Sequence, residues 1–281
     1  MLWLFGDSHA LAFREALGLL DKNARDGLAE AFGEVRAGMI ATAGALLRPF
    51  HTKDGGRIVF IEPEVAQRFA AITGSADGIT ADHKGPLLLS VGFFFLKMMK
   101  MPMWTRYSLS SASEKQFISG AVFTEFLKYH NAAILEFAKD LVSLGINVIF
   151  VESPPLKERV KTLPLMRMSG QEVQEFDKRY RRTMRGLIHS IGARVHAYPE
   201  SVHKDGFLKP KFETIGDNHH ANAKYGVLLW NEILRIRNKI NDSSATLDSE
   251  TPETLNGSVP CREHHRMLPD GADRAQAGLE E

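Results

Sequence analysis

A serine near the start of the chain lies where a short apolar segment meets a helical pattern. Met1–Phe5 is apolar and of strand length, Gly6-Asp7-Ser8-His9 follows, and Ala10–Leu17 repeats apolar residues three and four positions apart. Ser8 is therefore expected at a strand-to-helix turn, where free backbone N–H groups and the helix dipole favour negative charge. A hydroxyl in this position can act as a nucleophile if a base lies within reach, and an oxyanion that forms beside it meets oriented donors.

A second polar segment, Asp217-Asn218-His219-His220, lies more than two hundred residues further along the chain. His220 could be the base for Ser8, with Asp217 as the carboxylate that orients its ring. Two other interpretations remain open. Ser8 could simply cap the helix that follows it, since serine is a preferred N-cap residue. Asp217, His219 and His220 could instead bind a metal, although two or three ligands from one short segment leave a tetrahedral set incomplete.

These two segments resemble the SGNH hydrolase superfamily, also called the GDSL esterases and lipases. Gly6-Asp7-Ser8 matches its first motif and Asp217 through His220 its last, and the resemblance covers roughly residues 1–238. It implies a flavodoxin-like, three-layer α/β/α sandwich with a mostly parallel sheet. It also implies that Ser8 is the nucleophile and first oxyanion donor, His220 the general base and Asp217 the carboxylate that steadies it.

The middle of the chain departs from the family pattern. Leu87–Gly92 is typical of the third strand and the glycine that follows it, but Phe94 stands where the third motif has an asparagine. Gly44 is the preferred match to the second-motif glycine, and Gly38 is its competitor. The resemblance then implies an oxyanion hole formed by the backbones of Ser8, Gly44 and Gly92. Loss of one oxyanion donor costs about a hundredfold to a thousandfold in rate.

Composition restricts the class of protein. The chain has 281 residues, a formal net charge of +1 and 44% hydrophobic residues, so it can form a real core and gives no global reason to bind nucleic acid. A basic helix is predicted to expose its charges to solvent; its cations are Lys178, Arg179, Arg181, Arg182 and Arg185. The one cysteine excludes an intrachain disulfide framework and a cysteine-rich metal site.

The N-terminus lacks a basic region before its apolar residues, and no apolar segment reaches the length of a membrane span. A cytoplasmic protein without a membrane span is therefore expected. No cofactor and no metal are predicted. The sequence does not predict the oligomeric state.

Strand and helix patterns alternate along the chain. Strands are predicted at 1–5, 34–40, 57–61, 87–91, 146–151 and 193–197, and helices at 10–17, 63–72, 114–144, 171–191 and 221–240. Strands separated by helices favour a parallel sheet that is covered on both faces. The sequence therefore predicts one α/β domain over residues 1–240.

Residues 241–281 differ from the rest of the chain. They contain no Phe, Trp or Tyr, and Ser, Thr, Pro, Gly and acidic residues dominate. Such a segment cannot bury enough apolar area to offset the entropy lost on ordering. A disordered C-terminal tail is predicted.

The expected activity is hydrolysis of an ester by a serine nucleophile, with an O-acyl group on a carbohydrate or small metabolite as the expected substrate. Two alternatives use the same residues. The chain could transfer the acyl group to another alcohol instead of water, or it could be a weak or inactive binding or regulatory protein, as the phenylalanine at position 94 suggests.

Overall fold

The computed structural model describes residues 1–162 and 168–247. The strands are β1 (Leu2–Gly6), β2 (Val35–Met39), β3 (His51–Asp54), β4 (Arg57–Phe60), β5 (Ile79–Thr80), β6 (Leu87–Ser90), β7 (Tyr107–Ser108), β8 (Gln116–Phe117), β9 (Val148–Val151), β10 (Arg194–His196), β11 (His203–Lys204) and β12 (Phe207–Leu208). The α-helices are α1 (Ala10–Leu17), α2 (Lys22–Phe32), α3 (Ala43–Leu46), α4 (Pro63–Thr73), α5 (Phe95–Met99), α6 (Gly120–His130), α7 (Ala132–Ser143), α8 (Gly170–Ser190) and α9 (Ala223–Leu247). Short 3₁₀ helices span Pro102–Thr105, Glu158–Thr162, Glu200–Val202 and Pro210–Phe212.

The central sheet has five parallel strands in the order β10-β9-β6-β1-β2. β1 lies inside the sheet, with Phe5 opposite Gly38 of β2 on one side and Leu89 of β6 on the other. All five residues of β1 are buried, as expected for a strand that is covered on both faces. The carboxyl ends of these strands therefore meet at one edge of the sheet, where open α/β sheets place their sites.

Two hydrophobic cores lie between the central sheet and the helices, one on each face of the sheet. Side chains alternate along a strand, so Trp3 and Phe5 of β1 belong to one core and Leu2 and Leu4 to the other. The first core contains buried side chains of α4, α6, α7 and α8, and the second contains those of α1, α2 and α9. Helices thus cover both faces, and the predicted three-layer α/β/α sandwich is confirmed.

The predicted strand at 57–61 forms but lies outside the central sheet. β4 pairs antiparallel with β3 and β5 in a separate three-stranded sheet. Gly55 and Gly56 connect β3 to β4 with φ angles of 54° and 81°, a backbone that glycine adopts readily and that suits a two-residue hairpin. The hairpin turn, rather than a crossover helix, sends this strand back against its neighbour.

The single helix predicted at 114–144 is two helices. α6 begins after Ser119, whose hydroxyl accepts from the backbone N–H of Val122. Between α6 and α7 lies the fully buried Asn131, with φ −111° and a side-chain amide that donates to the Leu127 carbonyl. An asparagine that satisfies a carbonyl locally competes with the helical hydrogen bond, which explains the break.

Residues Met1–Ile240 form one compact unit. The last helix, α9, continues to Leu247, seven residues past the predicted boundary. Residues 248–281 lie outside the described residues, so the disordered tail stays a prediction. Within the described residues, none of the helices has the length and apolar character needed to cross a membrane.

Candidate active site

The structure brings Ser8, His220 and Asp217 together. The Oγ of Ser8 lies 2.6 Å from Nε2 of His220, and Nδ1 of the same ring lies 2.6 Å from Oδ2 of Asp217. The imidazole therefore lies between the hydroxyl and the carboxylate, and all three side chains are partly buried. This is the geometry that a serine nucleophile, a general base and an orienting carboxylate require.

Ser8 is positioned by close packing at the end of β1. A Cβ on Gly6 would lie 2.6 Å from the backbone oxygen of Ser90 and 2.8 Å from the Cβ of Ala10, so only glycine fits here. The N-cap residue of α1 is His9, and no side chain caps this helix. The capping interpretation of Ser8 is therefore wrong: its hydroxyl lies against His220.

The segment that carries Asp217 and His220 is held at both ends and in the middle. An antiparallel bridge joins Glu213 to Ala221, and the backbone N–H of Thr214 donates to the carbonyl of His220. The side chain of Lys157 is fully buried, and its ammonium donates to the carbonyls of Thr214 at 3.0 Å and Asp217 at 2.8 Å. The loop therefore presents His220 in one orientation toward Ser8.

Electrostatics keep Asp217 ionised. Burial by itself would raise the pKa of this carboxyl, but the backbone N–H groups of His220 and His219 and the ring of His220 hold the pKa well below its usual range. Oδ1 accepts from these two N–H groups at 2.6 and 2.7 Å, and the ammonium of Lys157 lies 3.8 Å away. A charged carboxylate beside Nδ1 is the partner that would stabilise a protonated imidazole ring.

The other two histidines at the site favour their neutral forms. Burial, followed by the nearby His220, lowers the pKa of His219 to about 4. Burial and the neighbouring rings of His220 and His219 also lower the pKa of His9 well below its usual value. The rings of His219 and His220 pack with centroids 3.8 Å apart. Neither His9 nor His219 therefore adds a positive charge beside His220 at neutral pH.

Asp7 is a buried carboxyl directly before the serine. It is only 2% exposed, and its Oδ1 accepts from the backbone N–H of His9 at 2.9 Å. Burial outweighs this hydrogen bond and raises the pKa of Asp7 to about 7. Asp7 thus shapes the turn that carries Ser8, in line with the mainly structural role that the resemblance implies.

A cleft of about 310 Å³ opens beside Ser8. Its walls come from residues that follow the carboxyl ends of the strands of the central sheet, together with His219: Asp7, Ser8 and His9 after β1; Ala43 after β2; Phe93, Phe94, Phe95, Leu96, Lys97 and Lys100 after β6; and Ser153, Pro154, Pro155 and Leu156 after β9. The sequence patterns placed Ser8 at this edge, and the structure adds the β9 segment and the two lysines.

The predicted oxyanion glycines lie next to the cleft wall. Gly44 is exposed on α3, one residue after the wall residue Ala43, and Gly38 lies inside β2, where a Cβ would collide with Ile72. Gly92 has φ 85°, and its carbonyl accepts from the buried hydroxyl of Tyr180. The oxyanion role of Ser8, Gly44 and Gly92 stays a prediction. Phe94 is itself part of the wall.

A buried ionic network lies below the cleft and was not predicted from the sequence. Arg181 was predicted on a solvent-exposed face, but it is 3% exposed and pairs with Asp177 and Glu152. Its guanidinium also donates to the carbonyls of Ser153 and Pro154, which line the cleft. Burial by itself would lower the pKa of Arg181, but the two carboxylates raise it, so the cation is retained.

The only sequence signal for this network was an acid four residues before an arginine on a predicted helix, which many exposed helices share. Arg185 adds a second contact to Glu152 at 2.5 Å. The paired charges tie α8 to the segment after β9 and hold the cleft wall in place.

The metal interpretation has a geometric basis in the same segment. Ligand atoms of Asp217, His219 and His220 all lie within 4.8 Å of one another. Both ring nitrogens of His220, however, are engaged with Asp217 and Ser8. A metal bound to His220 would have to displace one of these two contacts, and the prediction of no metal stays a prediction.

Comparisons with known proteins give likeness in structure alone. No protein-family model matches the sequence, and the search of curated proteins gives no match. Similar solved structures include a GDSL-like lipase from Bacteroides thetaiotaomicron, with 10% identity, a TM-score of 0.44 and coverage of 85% of this chain and 88% of that chain. A lipase/acylhydrolase from Enterococcus faecalis has 15% identity, a TM-score of 0.39 and coverage of 85% and 95%. An acetyl xylan esterase has 12% identity, a TM-score of 0.41 and coverage of 84% and 99%.

The chain's own architecture decides the fold assignment. The five-stranded parallel sheet carries Gly6-Asp7-Ser8 at the carboxyl end of β1. Asp217-x-x-His220 precedes the last helix and reaches the same edge. Strand order, layer arrangement and the positions of both motifs agree with the resemblance seen in the sequence. The fold is a three-layer α/β/α sandwich with a parallel central sheet, as the resemblance implies, and membership of the SGNH hydrolase superfamily stays a prediction.

Proposed function

We propose that this protein is a serine hydrolase that cleaves an ester, with an O-acyl group on a carbohydrate or small metabolite as its substrate. One observation carries the proposal. The ring of His220 is hydrogen-bonded to both partners, with 2.6 Å between Nε2 and Ser8 Oγ and 2.6 Å between Nδ1 and Asp217 Oδ2. The cleft beside Ser8 has room for a small acyl ester.

In the proposed reaction, Nε2 of His220 takes the proton of Ser8 as Oγ forms a bond to the acyl carbonyl carbon. The backbone N–H of Ser8, with backbone from Gly44 or Gly92, stabilises the oxyanion. The C–O bond to the alcohol then breaks, and the alcohol leaves with the proton from His220. A water molecule, deprotonated by the same ring, attacks the acyl-enzyme and releases the carboxylic acid and free Ser8. No cofactor takes part in these steps.

Covalent labelling tests the proposal. A fluorophosphonate probe reacts with an activated serine, so we expect mass spectrometry to find the label on Ser8 and to find none in Ser8→Ala or His220→Ala. Ser153→Ala is the matched control, since Ser153 lines the same cleft without a histidine partner in the described residues. This variant should label like the unmodified protein. Label on Ser153, or equal labelling of Ser8 in His220→Ala, would contradict the triad.

A second function is favoured by one residue. Phe94 stands where the family pattern has an asparagine that would donate to the oxyanion, and this residue is part of the cleft wall. A protein that binds an ester or its product without cleaving it would keep this pocket and need no such donor. If the purified protein is not labelled and Ser8→Ala still changes ligand affinity, the binding function replaces the hydrolase. Transfer of the acyl group to an added alcohol, detected as a new ester, would identify an acyltransferase.

A further inference from the structure

The cleft beside Ser8 carries two cations on one short element. Lys97 lies in α5, and Lys100 follows at its C-cap position, so the two side chains are three residues apart and share one side of the helix. Both side chains are exposed, and both line the cleft. Two lysines therefore border the space in which a substrate of Ser8 would lie.

These charges have no anionic partner within the described part of the chain. Neither Lys97 nor Lys100 makes an ion pair or a side-chain hydrogen bond there. Among the residues that line the cleft, the one carboxyl is that of Asp7, which is 2% exposed and turned to the backbone of His9. The cleft thus keeps two cations that its own residues do not neutralise.

The two lysines lie near different parts of the candidate active site, outside the triad itself. The Nζ of Lys97 is 3.8 Å from the place that a Cβ on Gly44 would take, on the side predicted for the oxyanion. The charge of Lys100 reaches His219 and contributes to its lowered pKa, and the His219 ring packs against His220. An anion bound by both lysines would lie in the cleft that Ser8 also lines.

The remaining walls are largely apolar. Five lining residues have apolar side chains and add no charge to the cleft: Phe93, Phe94, Leu96, Pro154 and Leu156. Such a site suits a ligand with a small apolar part and one or two negative charges. Electrostatic complementarity of this kind selects among substrates more than it raises overall affinity.

We propose that the ester substrate carries an anionic group, a carboxylate or phosphate, which Lys97 and Lys100 bind while Ser8 attacks the acyl carbon. This inference rests on the proposed function and specifies its substrate class. The anion could belong to the acyl part or to the alcohol part, and matched substrates separate these two cases.

The test compares charged and neutral esters of the same shape. For the alcohol part, para-acetoxybenzoate is compared with its methyl ester; for the acyl part, the para-nitrophenyl monoester of succinate is compared with its methylated form. We expect kcat/KM for the charged member of one pair to exceed that for the neutral member. The charged-to-neutral ratio is kcat/KM for the charged ester divided by kcat/KM for the neutral ester. In the double variant Lys97→Gln/Lys100→Gln, this ratio should fall by about tenfold, or about threefold per lysine, which is typical of exposed charge pairs.

Controls keep the charge effect apart from folding and from catalysis. Lys139→Gln removes an exposed lysine of α7 that lies outside the cleft lining, and the ratio should stay as in the unmodified protein. Raising the ionic strength to about 1 M, where the Debye length is about 3 Å, should lower the ratio in the unmodified protein and change it little in the double variant.

The outcomes separate the two proposals. If Ser8 is labelled and neutral esters are cleaved, but the double variant loses activity equally on charged and neutral esters, the anionic-substrate proposal is overturned and the hydrolase proposal stands. If the charged-to-neutral ratio of the double variant equals that of the unmodified protein, the anionic-substrate proposal is likewise overturned. If no ester is cleaved and Ser8 is not labelled, both proposals fail.

Discussion

Asp7→Asn should make the protein more stable at alkaline pH. The amide keeps an oxygen that can accept the N–H of His9 and removes the ionisation of a carboxyl that is 2% exposed. In the folded protein, burial raises the pKa of Asp7 from 3.8 to about 7, so the folded state binds this proton more tightly than the unfolded state. The stability that protonated Asp7 contributes is therefore fully present below about pH 4 and is lost as pH rises through about 7.

The size of the effect follows from the same pKa. A rise from 3.8 to about 7 corresponds to a difference of about 4 kcal/mol in the free energy of unfolding between acidic and alkaline pH, an upper value for one buried carboxyl. The amide of the Asp7→Asn variant does not ionise and would escape this loss. The difference in unfolding free energy between Asp7→Asn and the unmodified protein should thus rise between about pH 4 and about pH 7 and then level off.

Urea unfolding at a series of pH values measures this difference. Comparison of the two proteins at each pH cancels the titration of all other groups. Asp26→Asn, an exposed carboxylate of α2, is the matched control and should give a nearly flat difference. If the Asp7→Asn difference is also flat, or falls as pH rises, burial does not control the titration of Asp7 and the account of this turn is wrong.

Three further predictions concern the triad and the oxyanion, each read as kcat/KM for para-nitrophenyl acetate. Ser8→Ala and His220→Ala should each lower kcat/KM by up to about a millionfold. The double variant should have nearly the same kcat/KM as either single variant, because both changes disable the same nucleophile. Additive losses in the double variant would contradict this. Asp217→Asn should cost about ten-thousandfold, since an amide stabilises the wrong tautomer of His220, and a loss below about tenfold would show that Asp217 does not orient the ring. Phe94→Asn should raise kcat/KM by about tenfold or more if the missing amide limits the reaction, and it should lower Tm because Phe94 is only 6% exposed. A lower kcat/KM at unchanged Tm would refute this prediction.

Local patterns in the sequence determined the layers of this fold and the residues at its centre. The apolar run before Ser8 and the helical spacing after it each depend on neighbours a few positions away, and both formed as predicted. Gly145, with φ 78°, ends its helix for the same local reason. Most predicted strands and helices are found within a few residues of their expected bounds.

Only the tertiary structure decided where the charges lie. The burial of Arg181 depends on Glu152, 29 residues away, and the position of Lys157 depends on the carbonyl of Asp217, 60 residues away. A pattern along the chain cannot show such pairs, because a charge is buried only where distant partners replace its water. The same holds for Lys97, whose place beside Ser8 follows from adjacent strands that end at one edge of the sheet. Sequence spacing thus identified the residues that could do chemistry, and strand order determined what surrounds them.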